Sequence, residues 1–199
     1  MRLHVIQIVH IINAILGVVV LAMLIGANSK MKSFIVNGSE LSGFGNFVTF
    51  AYPATFVYMF IPVASGIVYS LILACDPSPS YSAWFPSRTL RSTIAVVTGA
   101  VFLAALLPAL PGADVMTTGS GLGCDWTYYM QWKVIYNNPD VFTWVTAMDD
   151  ACTIWKAADG LCWVLFLGWL LQIVLYMRAA KRAASPSSEV PMADVKHKY

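Results

Sequence analysis

Four stretches of this chain carry no Asp, Glu, Lys or Arg: residues 5–29, 41–75, 92–113 and 160–177. Within each, apolar residues follow one another without the strict alternation of a half-buried strand. The pattern therefore reads as helix. At 1.5 Å of rise per residue, each stretch is long enough to cross a hydrocarbon layer of ~30 Å. Only helices and closed barrels satisfy their backbone groups in lipid. The fold class expected is an all-α integral membrane protein, a four-transmembrane-helix bundle. Its spans fall at about 3–27, 46–74, 90–110 and 155–177, within a domain covering 1–182. Residues 112–154 form the one substantial loop, and 183–199 a disordered tail rich in Ser, Pro and charge.

The polar interruptions are informative because they are few. In span one, Gln7, His10, Asn13 and Gly17 recur at near-helical spacing and share a face. Such a face usually marks helix–helix contact, and a ligand or proton site is the competing reading. Span two carries Pro53 and Pro62, which remove helix donors and are expected to bend it. Span three holds Ala100, Ala104 and Ala105, which permit close backbone approach, and ends at Pro108 and Pro111. Near the start of span four, Lys156 and Asp159 stand one turn apart and are expected to form an intramembrane polar pair.

Residues 28–45 read as a short loop outside the membrane, holding the sequon Asn37-Gly38-Ser39. Asn37 is a possible glycosylation site, but its closeness to both spans argues against modification. Residues 75–89 form a Pro- and Ser-rich connector with Trp84 and Phe85 at headgroup depth. Cys75 at its edge is a possible palmitoylation site, and a buried thiol is the alternative. The loop 112–154 contains Trp126, Tyr128, Tyr129, Trp132, Tyr136, Phe142 and Trp144. That aromatic density implies order, with Trp and Tyr resting at the outer membrane surface, where they contact lipid or a partner.

Composition adds little to the fold but restricts the chemistry. The 199 residues are 58% hydrophobic and 11% charged, about half the charge of an ordinary soluble domain. With both termini cytosolic, Arg2, Arg88, Arg91, Arg178, Lys181, Arg182, Lys196 and Lys198 lie inside, and Lys30, Lys32, Lys133 and Lys156 lie outside. The positive-inside rule therefore favours cytosolic termini, with Lys30 and Lys32 the main dissent. The apolar run near Met1 is too long for a cleaved signal and reads as an uncleaved helix.

Cys124 and Cys152 both fall in the outer loop, where oxidising conditions favour a disulfide between them. No CxxC, HExxH, Gly-rich phosphate loop or Cys/His zinc cluster is present. His4 and His10 share span one but not a face, and His197 lies in the tail, so no paired haem ligands arise. The outer loop holds the carboxylates Asp114, Asp125, Asp140, Asp149 and Asp150, with Asp159 nearby at the start of span four. The adjacent Asp149-Asp150 reads first as a helix N-terminal device and only secondarily as an acid, base or cation site. No catalytic residue, metal ligand or cofactor is expected.

The start Arg2-Leu-His-Val-Ile-Gln-Ile-Val-His-Ile-Ile runs directly from a basic flank into span one. Near the other end, Cys152-Thr-Ile-Trp-Lys-Ala-Ala is followed by Trp163, Phe166, Trp169-Leu-Leu and Arg178. Asn46-Phe47 opens span two. In these features the chain resembles MARVEL-type tetraspan proteins, particularly small fungal ones. The resemblance implies a left-handed four-helix bundle with both ends cytosolic and a role in organising membrane. The reading that results is a non-enzymatic organiser or scaffold at the plasma membrane or in secretory or endosomal vesicles. Its partners are membrane lipids, copies of itself or other membrane proteins, not nucleic acid. An accessory subunit of a larger membrane complex and a small integral-membrane enzyme acting on a lipid-like substrate are the alternatives.

Overall fold

The polar residues that suggest a loop after span one instead ride on a continuing helix. In the computed structural model, which describes residues 5–41, 52–75, 88–113, 119–125 and 127–184, helix α1 runs unbroken over Val5–Leu41. Beyond the uncharged stretch 5–29, Met31, Phe34, Ile35 and Gly38 continue a buried stripe at helical spacing. Lys30 and Lys32 are exposed beside that stripe. The expected loop at 28–45 is thus helical through Leu41, and 42–51 lie outside the described residues.

Helix α2 covers Ala54–Cys75 and α3 covers Arg88–Leu106. Pro53 precedes α2 rather than bending it, and its carbonyl accepts the Val57 N–H at 3.1 Å. Pro62 does lie inside α2, where the Ser65 hydroxyl donates to the Pro62 carbonyl at 2.9 Å. A 3₁₀ turn at Leu107–Ala109 ends the third crossing, with Pro108 in it. A second, Gly121–Gly123, is followed by Cys124 in a left-handed conformation at φ 61°. Helix α4, Thr127–Ile135, lies within the sequence expected as loop. Helix α5, Thr143–Ala184, begins twelve residues before the expected start of span four. The start assigned to span two at 46, residues 76–87 with Trp84 and Phe85, Asp114, Trp126, His4, His197 and the tail beyond 184 lie outside the described residues.

Four of these helices are long and apolar enough to cross a membrane: α1, α2, α3 and α5. The protein is therefore an integral membrane protein of four-helix type. Neighbours run α1, α2, α3, α5 and back to α1, and α1 with α5 forms the most extensive interface. His10 on α1 meets Tyr176 on α5, so both ends of the described chain lie at the same end of the bundle. This terminal end is opposite the platform built from 29–41, 119–125 and 127–154.

The spans are apolar all round, as helices in lipid should be. Ile15, Val18, Ile61, Val96 and Leu167 are exposed, while Val20, Leu24, Val63, Val101 and Leu165 fill the centre. Lipid offers no hydrophobic drive for helix association, so close packing and polar contacts must hold the spans together. A β-carbon on Gly17 would stand 2.6 Å from Ile67, and one on Gly168 would meet the Asn13 side chain. Ala104 and Ala105 are fully buried. Where a side chain is buried away from water rather than from lipid, the ordinary hydrophobic effect returns and stabilises by roughly 1.5–3 kcal/mol.

Candidate functional site

The platform is built on the extensions of α1 and α5. Lys30 Nζ donates to Asp150 Oδ2 at 3.0 Å and joins the two helices where they leave the apolar spans. Above that ion pair, Phe34 is the hub of an aromatic cluster. Its ring centroid lies 5.7 Å from Tyr129, 5.3 Å from Trp132 and 5.6 Å from Trp144. Trp132 and Trp144 meet edge to face at 5.5 Å, and Tyr136 bridges Trp144 and Phe142 at 5.3 Å and 4.9 Å. Such pairs add about 0.5–1.5 kcal/mol each beyond area burial. A β-carbon on Gly38 would overlap the Trp132 indole, so this glycine is what lets α4 seat against α1.

Cys124 and Cys152 form the expected disulfide, with their Cα atoms 6.2 Å apart. It fastens the segment before α4 to the third turn of α5. On the other flank, the Tyr129 hydroxyl donates to the Asp149 carboxylate. Lys133 Nζ donates to both Asp149 oxygens at 3.0 and 3.1 Å and to the Tyr129 oxygen at 3.1 Å. Burial first, and then the bond to Asp149, push the Tyr129 phenol up to about 12. The bonds to Tyr129 and Asp149 raise Lys133 above the usual lysine range. The Lys133–Asp149 pair is half exposed on both sides and is worth at most ~1 kcal/mol.

Tyr129, Trp132 and Trp144 were expected to face lipid or a partner. The structure buries all three, at 4%, 9% and 8% exposure. They serve as the platform's own core, because the extended helices give them a surface to pack on. Tyr128 falls on α4, and its side chain and Trp126 lie outside the described set. The outward-facing apolar residues are Met130, Val134, Ile135 and Val141, exposed by 47%, 76%, 67% and 64%. Sequence reasoning missed them because α4 was read as loop. Once it is helical, Tyr129 and Trp132 take one face, and Met130 and Val134, one turn apart, take another.

The carboxylates do not gather. Asp149 faces Lys133, Asp150 faces Lys30, and Asp125 and Asp140 are exposed elsewhere. Asp149 and Asp150 stand at the seventh and eighth residues of α5 as ion-pair partners, not at its N-terminus, because α5 starts at Thr143. Lys156 is exposed whereas Asp159 is 5% exposed, and they form no ion pair. Asp159 Oδ1 has no hydrogen-bond partner among the described residues. No group of three His, Cys, Asp or Glu able to hold a metal occurs among the described residues.

Asn37 lies in the helical extension, and its amide donates to the Ser33 carbonyl at 2.7 Å and to the Ser33 hydroxyl at 3.3 Å. A glycosyl acceptor needs that nitrogen free in an open loop, so its surroundings oppose modification. Cys75 is an exposed thiol at the end of α2, not a buried one, and Cys162 is buried in α5.

The polar face of α1 meets α5 inside the bundle. His10 Nε2 lies 3.0 Å from the Tyr176 hydroxyl, and Gln172 Nε2 lies 2.6 Å from His10 Nδ1. With the amide donating to Nδ1, the ring carries its proton on Nε2 and donates it to Tyr176. Trp169 meets the His10 ring edge-on at 6.4 Å. Asn13 Nδ2, Trp169 Nε1 and Gln172 Oε1 have no hydrogen-bond partner among the described residues. This arrangement locks the register of α1 on α5 by polar contact in lipid, the packing reading of that face.

No family model matches this chain, and no curated protein or solved structure matches it.

Proposed function

We propose that this protein is a non-enzymatic tetraspan organiser of the plasma membrane or of secretory or endosomal vesicles. It acts by holding a rigid platform outside the bilayer for a membrane-protein partner. One observation carries the reading: Met130, Val134 and Ile135 are left apolar and exposed on a helix held by the adjacent disulfide, an aromatic core and the Lys133–Asp149 ion pair. Gly38, which seats α4, is eight residues beyond Lys30, about 12 Å along α1. Apolar side chains held that far beyond the first charged residue of α1 point to a protein contact.

The resemblance of both chain ends to MARVEL-type tetraspan proteins supports the same reading. So does the charge pattern. Lys30 and Lys133, two of the four cations that count against cytosolic termini, are paired with Asp150 and Asp149. In this reading both termini are cytosolic and the platform is outside, on the count of Lys and Arg in the sequence.

The test is gentle extraction into nanodiscs followed by native mass spectrometry of the wild type and of a Met130→Ser/Val134→Ser/Ile135→Ser variant. The expected result is a homo-oligomer or a set of membrane proteins whose association falls at least tenfold in the variant. A fixed one-to-one complex with a single larger protein would make this chain an accessory subunit. A lone chain in both samples would remove the organiser reading.

A further inference from the structure

Near the middle of the bundle α3 and α5 are in close contact. Cys162 Sγ lies 3.9 Å from the Val101 carbonyl, and Phe102 meets Trp163 edge to face at 5.9 Å and Phe166 at a tilt at 5.1 Å. Towards the terminal end the same two helices leave a cavity of about 200 Å³ between them. Its wall is apolar: Leu90, Ile94 and Ala95 from α3, and Ile173 and Met177 from α5, with Tyr176 alongside. Arg91 is its one charged lining residue. Met177 continues one turn on to exposed Lys181, and Arg178 beside it is also exposed.

The shape and charge select an occupant. An apolar void of ~150 Å³ already accepts a benzene-sized molecule, so this one accepts a length of hydrocarbon chain. Arg91 supplies a cation to its wall, and exposed Arg178 and Lys181 follow Met177 within about one turn of α5. A basic pocket between transmembrane helices suits a lipid whose headgroup is anionic, because Arg and Lys hold phosphate by charge-assisted hydrogen bonds. A zwitterionic lipid would place its own cation among Arg91, Arg178 and Lys181. We propose that this cavity holds an acyl chain of an anionic phospholipid, with Arg91, Arg178 and Lys181 around its phosphate. The site is separate from the platform and does not depend on the organiser reading.

The full chain would be reconstituted in nanodiscs of equimolar phosphatidylglycerol and phosphatidylcholine, and retained lipid counted by native mass spectrometry. The wild type is expected to keep phosphatidylglycerol in preference to phosphatidylcholine. Arg91→Gln/Lys181→Gln should lose that preference at least fivefold while still retaining lipid. Ala95→Phe, which fills the cavity and keeps every cation, should lower retention of both lipids. Near-ultraviolet circular dichroism of the tryptophans confirms that each variant is folded, and Arg178→Gln supplies a second headgroup variant should Arg91→Gln/Lys181→Gln fail to fold. Equal retention of the two lipids by the wild type overturns the proposal. So does unchanged phosphatidylglycerol retention in folded Ala95→Phe.

Discussion

His10 and Tyr176, 166 residues apart in sequence, meet at 3.0 Å inside the bundle. Hydrogen bonds between transmembrane helices average about 0.6 kcal/mol and reach ~1.7. Tyr176→Phe should therefore destabilise by about 0.6–1.7 kcal/mol in a detergent-titration unfolding experiment. His10→Leu removes the contact that Tyr176 and Gln172 both make and should cost more, about 1–3 kcal/mol. Equal stability of wild type and His10→Leu would mean that the cluster does not hold α1 against α5.

The Tyr129 phenol gives the platform a pH limit. Its folded pKa, about 12, exceeds the ordinary value near 10. The folded state therefore binds the proton more tightly than the unfolded state does. The stabilisation is complete below about pH 10 and is lost as pH rises to about 12. Protease resistance of 113–142 should fall across that window. Tyr129→Phe should remove this component of the fall, leaving only what other groups contribute. A wild type and variant that lose resistance in parallel would argue against it.

The disulfide closes a segment with a sequence separation of 28 residues. On chain-entropy grounds its loss should cost the platform about 3–4 kcal/mol. Cys124→Ser and Cys152→Ser should each leave membrane insertion intact and open 119–142 to protease. The aromatic core remains, so the change should be partial, and full resistance in either variant would contradict the role given to the bridge.

Lys30 and Asp150 are both about half exposed, so the pair itself is worth at most ~1 kcal/mol. Lys30→Glu places like charges together and should weaken packing of the two extensions. Adding Asp150→Lys should restore it. A double-mutant cycle on thermal unfolding reads the coupling, and a coupling near zero would mean that the aromatic cluster alone aligns these helices.

How much was legible in the sequence differs between lipid and water. The four spans were plain because each is an uninterrupted apolar run, and the Cys124–Cys152 pair followed from compartment. The helical extensions were hidden because Lys30, Lys32 and Ser33 break the apolar run while Met31, Phe34 and Ile35 keep the helical period beneath them. A rule tuned to lipid stops at the first charge, whereas a helix in water needs only one apolar face. Reading Trp144, Met148, Ala151, Cys152 and Trp155 as one stripe would have extended α5 backwards. Reading Tyr129 and Trp132 as an i, i+3 pair would have found α4. The contact of His10 with Gln172 and Tyr176 was only half legible: the polar face of α1 was visible, but nothing in the sequence said which helix it would meet.

The two long helices, of 37 and 42 residues, rise about 55 and 63 Å. Each passes from the platform through the spans without a break, and they are fastened together at both extremities, by Lys30–Asp150 at one and by His10–Tyr176 at the other. Such a pair behaves as a single lever. A force that tilts the platform would therefore tilt both long helices together, from Lys30–Asp150 to His10–Tyr176.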